Sequence, residues 1–399
     1  MNSYFKKLLS FAFGVAFSCN ASAQTVSTGY YRVESLYLGQ CLYFKSNKAQ
    51  DVDYATAGVE LLNIRGCLDK NAVYSMPETV LYVEYITTEK DGAFRVDLAS
   101  QGVTASSIAG NAKLRIKKDA SKNAYYAFAE AKGVIKYLVA RESYDNDTWM
   151  EQDCKVQTGN KSSDNSLFWK LKKLDESSEY FGISPRVEYN GEYYDPFYVF
   201  FPYSFYSSGM KAYCITSTPK TADGKAYAVY QEVTGTVPVG TPLIVKCSSK
   251  EPINNKLKIN GVSPQSLPFT NCMRGAYRSC PEPASLRDVV DYDSKTMRIL
   301  GTTSEGKLGF VTATYSYLPK NTAYLVVPSA YPKELTLISQ EEYNDLIAGI
   351  DDVTMDGQQN VPARVKGVYN LSGVKVCETS EFNSLPSGVY IVDGQQKIK

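Results

Sequence analysis

The sequence predicts an all-β protein that is built from several small domains. Short runs of apolar and aromatic residues recur through most of the chain, and polar turns separate them. Tyrosine, which favours half-buried strands, occurs 32 times. One short stretch near residue 340 has the period of an amphipathic helix. A length of 399 residues predicts two or three domains.

Residues 1–23 are predicted to be a secretory signal peptide. Lys6 and Lys7 precede an apolar run that is too short to span a bilayer. An A-x-A motif ends at Ala23 and predicts a mature chain that starts at Gln24. A lipidated Cys19 is the alternative, but the residues before it fit a lipobox poorly. No other stretch approaches the length of a membrane span, so no transmembrane span is expected.

Residues 24–176 are predicted to form one all-β domain. Its apolar runs are residues 30–33, 41–44, 80–83, 94–96, 114–116, 125–128, 136–139 and 168–171. Many short strands of this kind favour a sandwich or a barrel. The opening and closing runs resemble the ends of a ricin-type β-trefoil, which implies a β-trefoil-like domain. A Gln-x-Trp triplet is absent, so the resemblance does not extend to the sugar pockets of lectin trefoils.

An acidic loop near residue 150 raises the question of a metal site in this domain. Asp145 and Asp147 are candidate calcium ligands, because calcium prefers carboxylate oxygens. Their spacing does not match an EF-hand, and a solvated acidic loop is the favoured interpretation. We therefore predict neither a metal ion nor a cofactor.

Residues 177–338 are predicted to form a β-sandwich domain. Asn190-Gly191 lies between two apolar runs and predicts a type I′ hairpin turn, because both residues accept a positive φ. Residues 237–245 and 318–326 form an internal repeat with an apolar-Pro start, a Gly or Asn turn, and a buried strand. Two similar halves fit a pseudo-symmetric sandwich. The domain resembles β-sandwich modules of surface proteins from bacteria with type IX secretion, and this resemblance implies no activity.

The densest aromatic stretch, residues 193–206, supplies the candidate binding residues. Tyr193, Tyr194, Phe197 and Tyr198 could form a platform on which sugar rings stack. The favoured interpretation is a core strand whose rings alternate between two faces.

Residues 339–361 are predicted to form a helix and a linker. Ser339 and Glu342 have the spacing of a capping box, and the apolar residues that follow lie on one helical face. An acidic and polar run then separates the helix from the C-terminal segment.

Residues 362–399 form a small C-terminal segment with short β-branched strands around two tight turns. The segment resembles the sorting domain of the type IX secretion pathway in a shortened form. The matching residues are Tyr369, Asn370, Gly373, Gly388, Tyr390, Gly394 and Lys399. The resemblance implies that the secretion machinery carries the protein across the outer membrane. A hairpin module that only caps the preceding domain is the alternative, since the Pro-Asn-Pro-like start of the fuller pattern is absent.

Composition excludes several classes of site. Histidine is absent, which removes Ser-His-Asp and Cys-His nucleophiles and every imidazole-ligated metal site. The chain has 43 basic and 42 acidic residues, so no basic surface for nucleic acid is expected.

Cys272 and Cys280 close a short loop and form the predicted disulfide, with buried thiols as the alternative.

These observations predict an exported, non-catalytic surface or secreted binding protein for a carbohydrate or a host protein. The expected partners are the secretion machinery and a glycan or protein ligand. One alternative is an extracellular glycan hydrolase that uses a carboxylate pair at a domain interface. A passive structural spacer is the other. The expected location is the cell surface or the medium, or the periplasm if the C-terminal segment is not a sorting signal.

Overall fold

The computed structural model describes residues 27–39, 41–50, 61–67, 72–85, 94–97, 113–119, 121–131, 134–141, 154–159, 164–261, 266–277, 279–281, 284, 287–350, 367–370, 375–392 and 395–399. Two compact units are present, Met1–Leu337 and Ile338–Lys399. The described part of the chain is mostly β, which confirms the predicted all-β class.

The N-terminal sheet is antiparallel and ten-stranded. Its strands are β1 Gly29–Ser35, β2 Cys41–Gln50, β3 Leu61–Cys67, β4 Leu81–Tyr85, β5 Phe94–Asp97, β6 Lys113–Asp119, β7 Ala124–Ala131, β8 Val134–Arg141, β9 Cys154–Gly159 and β10 Phe168–Lys173. Short 3₁₀ helices lie at Ala72–Ser75, Pro77–Thr79 and Asn165–Leu167. β1 pairs with β2, β4 and β10, and β10 also pairs with β7, so the sheet closes on itself.

The predicted apolar runs coincide with all of these strands except β3 and β9. Polar residues interrupt both: Asn63 and Arg65 lie within β3, and β9 has Val156 as its one aliphatic side chain. These two strands pair with each other by backbone hydrogen bonds, which a side-chain pattern does not reveal. The β-trefoil resemblance stays a prediction.

Thirteen further strands lie between residues 181 and 339 in the described part of the chain. They are β11 Phe181–Gly182, β12 Val187–Tyr189, β13 Glu192–Phe197, β14 Tyr203–Phe205, β15 Lys211–Ser217, β16 Tyr227–Val233, β17 Leu243–Cys247, β18 Lys256–Ile259, β19 Met273–Ala276, β20 Met297–Thr302, β21 Leu308–Val311, β22 Thr322–Val326 and β23 Glu334–Ser339. A 3₁₀ helix lies at Pro252–Asn254. β11, β18 and β14 form a small separate sheet.

Eight strands of this part form a closed barrel rather than the β-sandwich that the sequence predicted. The ring runs β13-β17-β15-β16-β23-β21-β20-β22 and closes where Phe197 of β13 pairs with Thr322 of β22. A sandwich and a barrel need the same inward and outward alternation along each strand. Hydrophobic alternation therefore could not predict the pairing that closes the ring.

Both strands of the internal repeat, β17 and β22, pair with β13. Phe197 pairs with Leu243 on one side and with Thr322 on the other. The turn before each repeat strand has a residue in the left-handed region, Gly240 at φ 66° and Asn321 at φ 55°. The predicted hairpin turn is also present, with positive φ at Asn190 and Gly191, the conformation of a type I′ turn.

Two hydrophobic cores lie on opposite faces of the barrel wall. In β17, Ile244 belongs to the core that fills the barrel, and its neighbours Leu243 and Val245 belong to the outer core. The outer core also contains Tyr30 and Val80 from the N-terminal sheet region. Residues 24–176 and 177–338 were predicted as separate domains, and in the structure they share this core within one compact unit.

The C-terminal unit contains the predicted helix and a four-stranded antiparallel sheet. The elements are α1 Gln340–Ile350, β24 Val368–Tyr369, β25 Lys375–Cys377, a 3₁₀ helix at Thr379–Ser384, β26 Val389–Val392 and β27 Gln395–Ile398. The sheet order is β25-β24-β26-β27. The capping box is confirmed, because the amides of Ser339 and Glu342 each donate to the other residue's side chain. Among the described residues, no helix has the length and apolar character needed to cross a membrane.

Candidate functional site

A cleft of about 290 Å³ lies where the N-terminal region meets the barrel. We call it the junction cleft, and its lining residues are Ser75, Pro77, Ile183, Ser184, Arg186, Asp195, Phe197, Pro319, Lys320 and Asn321. They come from the two 3₁₀ helices after β3, the segment before β12, β13 itself, and the turn before β22. The cleft therefore exists only because these distant segments fold together.

Arg186 and Asp195 form the floor of the junction cleft. Nε of Arg186 donates to Oδ1 of Asp195 at 2.6 Å, and Nη2 donates to Oδ2 at 2.9 Å. The Asp195 side chain is 2% exposed, so its charge is compensated inside the protein. Burial alone would lower the pKa of Arg186, but the Asp195 carboxylate outweighs burial and raises it. The guanidinium is therefore always charged.

The remaining N–H groups of Arg186 bind the turn before β22. Nη1 donates to the carbonyl of Lys320 at 3.0 Å and to Oγ1 of Thr322 at 2.5 Å. Nη2 also donates to the carbonyls of Pro196 and Asn321, at 2.8 and 2.9 Å. Arg186 thus has no N–H left for a ligand, and its role is to hold the turn against β13.

A second ion pair joins the two parts of the unit at the edge of the cleft. Nζ of Lys320, on the barrel, lies 3.0 Å from Oε1 of Glu78, on the N-terminal 3₁₀ helix Pro77–Thr79. The Glu78 side chain is buried and the Lys320 side chain is half-exposed. The other carboxylate oxygen of Glu78, Oε2, is buried and has no hydrogen-bond partner among the described residues.

Asn321 supplies a second buried acceptor that is not satisfied. The residue is 7% exposed, and its Oδ1 has no hydrogen-bond partner in the described part of the chain. Its main chain is fully engaged: the amide donates to the Tyr277 carbonyl, and the carbonyl accepts from Tyr198 and Arg186. Leaving a buried acceptor without a donor costs about 1–3 kcal/mol. An orphan acceptor on a cleft wall is therefore a candidate contact for a ligand.

The two ion pairs leave the cleft and its edge electrically balanced, and Oδ1 of Asn321 is an acceptor without a partner among the described residues. Arg186 neutralises Asp195, and Lys320 neutralises Glu78. Such an arrangement can bind a small polar ligand that donates hydrogen bonds.

A second groove of about 300 Å³ lies between the turns at Gly224 and Gly306. Its polar groups bind each other: Oε2 of Glu334 accepts from the amide and the hydroxyl of Ser304. None of its described side-chain atoms is a buried atom without a partner. The junction cleft is therefore the stronger candidate for a binding site.

The aromatic candidates do not line one surface. Tyr194 is buried in the barrel core, and Phe197 is buried in the outer core. Tyr193 is half-buried against the outer core. Tyr198 is half-buried and lies against Gly275, where a Cβ atom would come within 2.2 Å of its ring. Only Phe197 among these candidates lines the junction cleft.

The predicted disulfide between Cys272 and Cys280 is not formed. The thiol of Cys272 donates instead to the carbonyl of Thr216 at 3.3 Å. Between the two cysteines the chain forms the extended strand β19 rather than the closed loop that the spacing suggested. Burial raises the pKa of the Cys272 thiol, which makes it less reactive.

Several predicted site residues lie outside the described residues: the cleavage site Ala23 and Gln24, the calcium candidates Asp145 and Asp147, and the sorting-motif residues Gly373 and Gly394. Within the described residues, no group of three or more Cys, Asp or Glu side chains could hold a metal ion.

The other sorting-motif residues belong to the four-stranded C-terminal sheet or flank it. Tyr369 is in β24, Tyr390 is in β26, and Asn370 follows β24. The backbones of Gly388 and Lys399 pair through two hydrogen bonds, and the Lys399 ammonium donates to the carbonyls of Asn383 and Leu385. The terminal lysine is thus held against the turn before β26.

The sequence did not predict the site formed by the residues of the junction cleft. These residues are far apart in the chain, so no local pattern indicates that they are in contact. Glu78 and Lys320 belong to different predicted domains, and no local pattern connects them. One usable signal was present: Asn321 occupies the turn position of the second repeat, where the first repeat has glycine. Both residues have a positive φ, so the turn itself does not require the amide side chain of Asn321.

No family model and no curated protein matches the sequence. Among solved structures, the chain is similar to one described as "Structure and mode of action of a mosquitocidal holotoxin", with a TM-score of 0.23 and 9% identity. The match covers 77% of this chain and 42% of that chain, so this chain spans less than half of its length. At this TM-score the similarity carries no argument, and function must be argued from the residues.

Proposed function

We propose that the protein is an exported, non-catalytic binding protein whose ligand is a carbohydrate, bound in the junction cleft. The observation that carries this proposal is Oδ1 of Asn321, a buried acceptor without a partner among the described residues, which belongs to the lining of a cleft whose charges are compensated. Sugar hydroxyls are donors that would satisfy such an acceptor.

The size of the cleft favours a small ligand over a protein surface. Pockets for small molecules typically enclose about 300–1,000 Å³, and the junction cleft, at about 290 Å³, is at the lower end. One sugar unit at the end or side of a glycan fits this scale. A stable protein interface would instead need a broad patch of roughly 800 Å² on each partner.

The hydrolase alternative receives less support from the same residues. Glu78 and Asp195 are both buried acids at the junction, which is where a carboxylate pair was expected. Both oxygens of Asp195 accept hydrogen bonds from Arg186, and Glu78 is paired with Lys320. A glycosidase needs one carboxyl group that donates its proton and another that faces the sugar carbon. Neither acid is placed for those roles.

The proposal is tested by glycan binding to the full mature chain. A glycan array identifies ligands, and isothermal titration calorimetry then compares the wild type with Asn321→Gly. Glycine tolerates the φ of 55° at this position, so the variant removes the acceptor and keeps the turn. The matched control is Asn190→Gly, at φ 50° in the exposed hairpin turn. We expect Asn321→Gly to weaken binding by about tenfold, the worth of one hydrogen bond in a buried site, and the control to bind normally.

Two results would overturn the proposal. One is the absence of binding to any glycan on the array. The other is turnover of a bound glycan that is lost in Asp195→Asn or Glu78→Gln, which would establish the hydrolase alternative.

Export through the C-terminal segment is part of the same proposal. The signal peptide, the motif residues of the C-terminal segment and the compact sheet that they form support it. Intact mass of the native protein in periplasmic, surface and medium fractions tests it. An extracellular species that starts at Gln24 and lacks the C-terminal segment is expected. A full-length species confined to the periplasm would mean that the segment is only a structural module.

A further inference from the structure

Strands β2 and β3 place two cysteines opposite each other in the N-terminal sheet. Consecutive residue pairs fix the register at this end of the two strands: Cys41 with Cys67, Leu42 with Gly66, Tyr43 with Arg65, and Phe44 with Ile64. The register shift between these strands lies beyond Phe44. The two cysteines are therefore direct partners in an antiparallel pair of strands, although they are far apart in the sequence.

This register satisfies the backbone geometry of a disulfide bond. Direct partners in antiparallel strands have Cα atoms about 4.5 or 5.5 Å apart, and their side chains leave the same face of the sheet. A disulfide bond needs Cα atoms about 4.4–6.8 Å apart. Because both kinds of antiparallel pair fall within this range, the register alone places Cys41 and Cys67 at bonding positions.

We infer that Cys41 and Cys67 form a cross-strand disulfide in the exported protein. This inference rests on the proposed export, because disulfides form and persist in oxidising compartments outside the cytoplasm. Cys41 is a thiol in the structure. The bond is therefore a modification that oxidation adds to this register.

The oxidant belongs to the class of protein or small-molecule disulfides. The thiolate of one cysteine attacks a sulfur of the oxidant, which forms a mixed disulfide and releases one thiol of the oxidant. The thiolate of the other cysteine then attacks the cysteine sulfur of the mixed disulfide, which forms the cross-strand bond and releases the second thiol. The two cysteines lose two electrons and two protons, and the disulfide of the oxidant is reduced to two thiols.

The register also separates a third cysteine from this pair. Cys154 on β9 is the direct partner of Gly66 on β3. Successive residues of a strand face opposite sides of the sheet. Cys154 is therefore placed on the face opposite to that of Cys67, and it does not compete for the bond.

The burial of Cys41 indicates a structural disulfide rather than a redox switch. Cys41 is 5% exposed and packs with Val73, Tyr74 and Met76. Thiol–disulfide exchange needs access to a sulfur atom, so a bond at this position is shielded from reductants in the folded protein.

Peptide mapping of the native protein tests the inference. The mature chain from the surface or medium fraction is denatured, alkylated without reduction, digested and analysed by mass spectrometry. We expect a linked pair of peptides that contain Cys41 and Cys67, lighter by two hydrogen atoms than the separate thiol peptides. The link should resist dithiothreitol in the folded protein and should be reduced in urea.

Variants test what the bond contributes to stability. Without reductant, the double variant Cys41→Ala with Cys67→Ala should melt on the order of 5 °C below the wild type, because the bond restricts the unfolded chain. The matched control is Cys154→Ala, in which the link between Cys41 and Cys67 should still form. The map of the wild type decides the pairing even if the double variant does not fold.

Two results would overturn the inference and leave the proposed export intact. One is alkylation of both Cys41 and Cys67 in the extracellular protein, and the other is a link from either residue to a third cysteine. A native protein found only in the cytoplasm would overturn the proposed export instead. The map of a mature chain refolded in a glutathione buffer would then decide the pairing, and alkylation of both cysteines there would refute it.

Discussion

Replacing Arg186 tests whether the junction cleft is held together as the structure indicates. Arg186→Met removes the guanidinium and leaves Asp195, which is 2% exposed, as a buried charge without a cation. It also removes the donors to the carbonyls of Lys320, Pro196 and Asn321. Breaking a buried ion pair from one side costs about 3–5 kcal/mol. Because the Arg186 side chain is 35% exposed and water can approach it, we expect the lower end, about 3 kcal/mol.

The assay is urea unfolding of the full chain, followed by tryptophan fluorescence, to which the buried Trp169 contributes. The matched control is Lys211→Met, which breaks the exposed Lys211–Glu232 pair and should cost less than about 1 kcal/mol. The double variant Arg186→Met with Asp195→Asn removes both charges. It should recover a large part of the lost stability, because no buried charge remains.

The same variant has a predicted pH dependence. Burial raises the pKa of Asp195 even in the wild type, where the Arg186 guanidinium opposes the shift. Without Arg186 the pKa of Asp195 rises further above its unfolded value of about 3.9, so the folded variant binds more protons than the unfolded chain. Stability then decreases as the pH rises from the unfolded to the folded pKa. Arg186→Met should therefore be less destabilised at about pH 4 than at pH 7. A loss no larger than that of the control, or a double variant as unstable as Arg186→Met, would refute this account of the cleft.

Three further predictions concern other parts of the same unit. Phe201→Ala, in the shared outer core, should lower the free energy of unfolding by about 3–5 kcal/mol. The unfolding midpoints followed by fluorescence and by circular dichroism should fall together. Two separate midpoints would contradict a shared core. Gly191→Ala, at φ 76° in open space, should cost about 1–2 kcal/mol in urea unfolding, and Gly261→Ala should be close to neutral. Hydrogen bonding to Lys246 lowers the pKa of Glu192, so its stabilisation is present above the unfolded pKa and is lost as the pH falls through the folded pKa. The melting temperatures of the wild type and Glu192→Gln should therefore differ at pH 7 and converge near about pH 2, and an unchanged difference would contradict this assignment.

Local signals in the sequence predicted local structure well. The Asn190-Gly191 turn and the capping box at Ser339 are both formed as expected, because each depends on a few neighbouring residues. Barrel closure was not predictable in this way. It depends on the single pairing of Phe197 with Thr322, and the alternation of apolar residues is the same whether or not that pairing forms.

The contacts of the junction cleft were harder to predict from the sequence than the closure of the barrel. Arg186 and Asp195 face each other across the predicted hairpin, so their contact could have been found from the turn and its register. Glu78 and Lys320 meet only because the N-terminal 3₁₀ helix packs against the second repeat. That packing follows from a core that includes Tyr30, which is remote from both residues in the sequence. Contacts of this kind are fixed by tertiary packing, which no local motif encodes.

The shared core and the Arg186 contacts together support the proposed binding role of the cleft. A cleft between two mobile domains would lose affinity, because binding would have to order the domains as well as the ligand. Here the outer core joins the walls, and Arg186 fixes the turn that carries Lys320 and Asn321. A buried ion pair is a weak source of stability compared with packed apolar residues. The value of the Arg186–Asp195 pair is therefore positional: it holds Oδ1 of Asn321 without a partner on the cleft wall, ready for a donor that the ligand supplies.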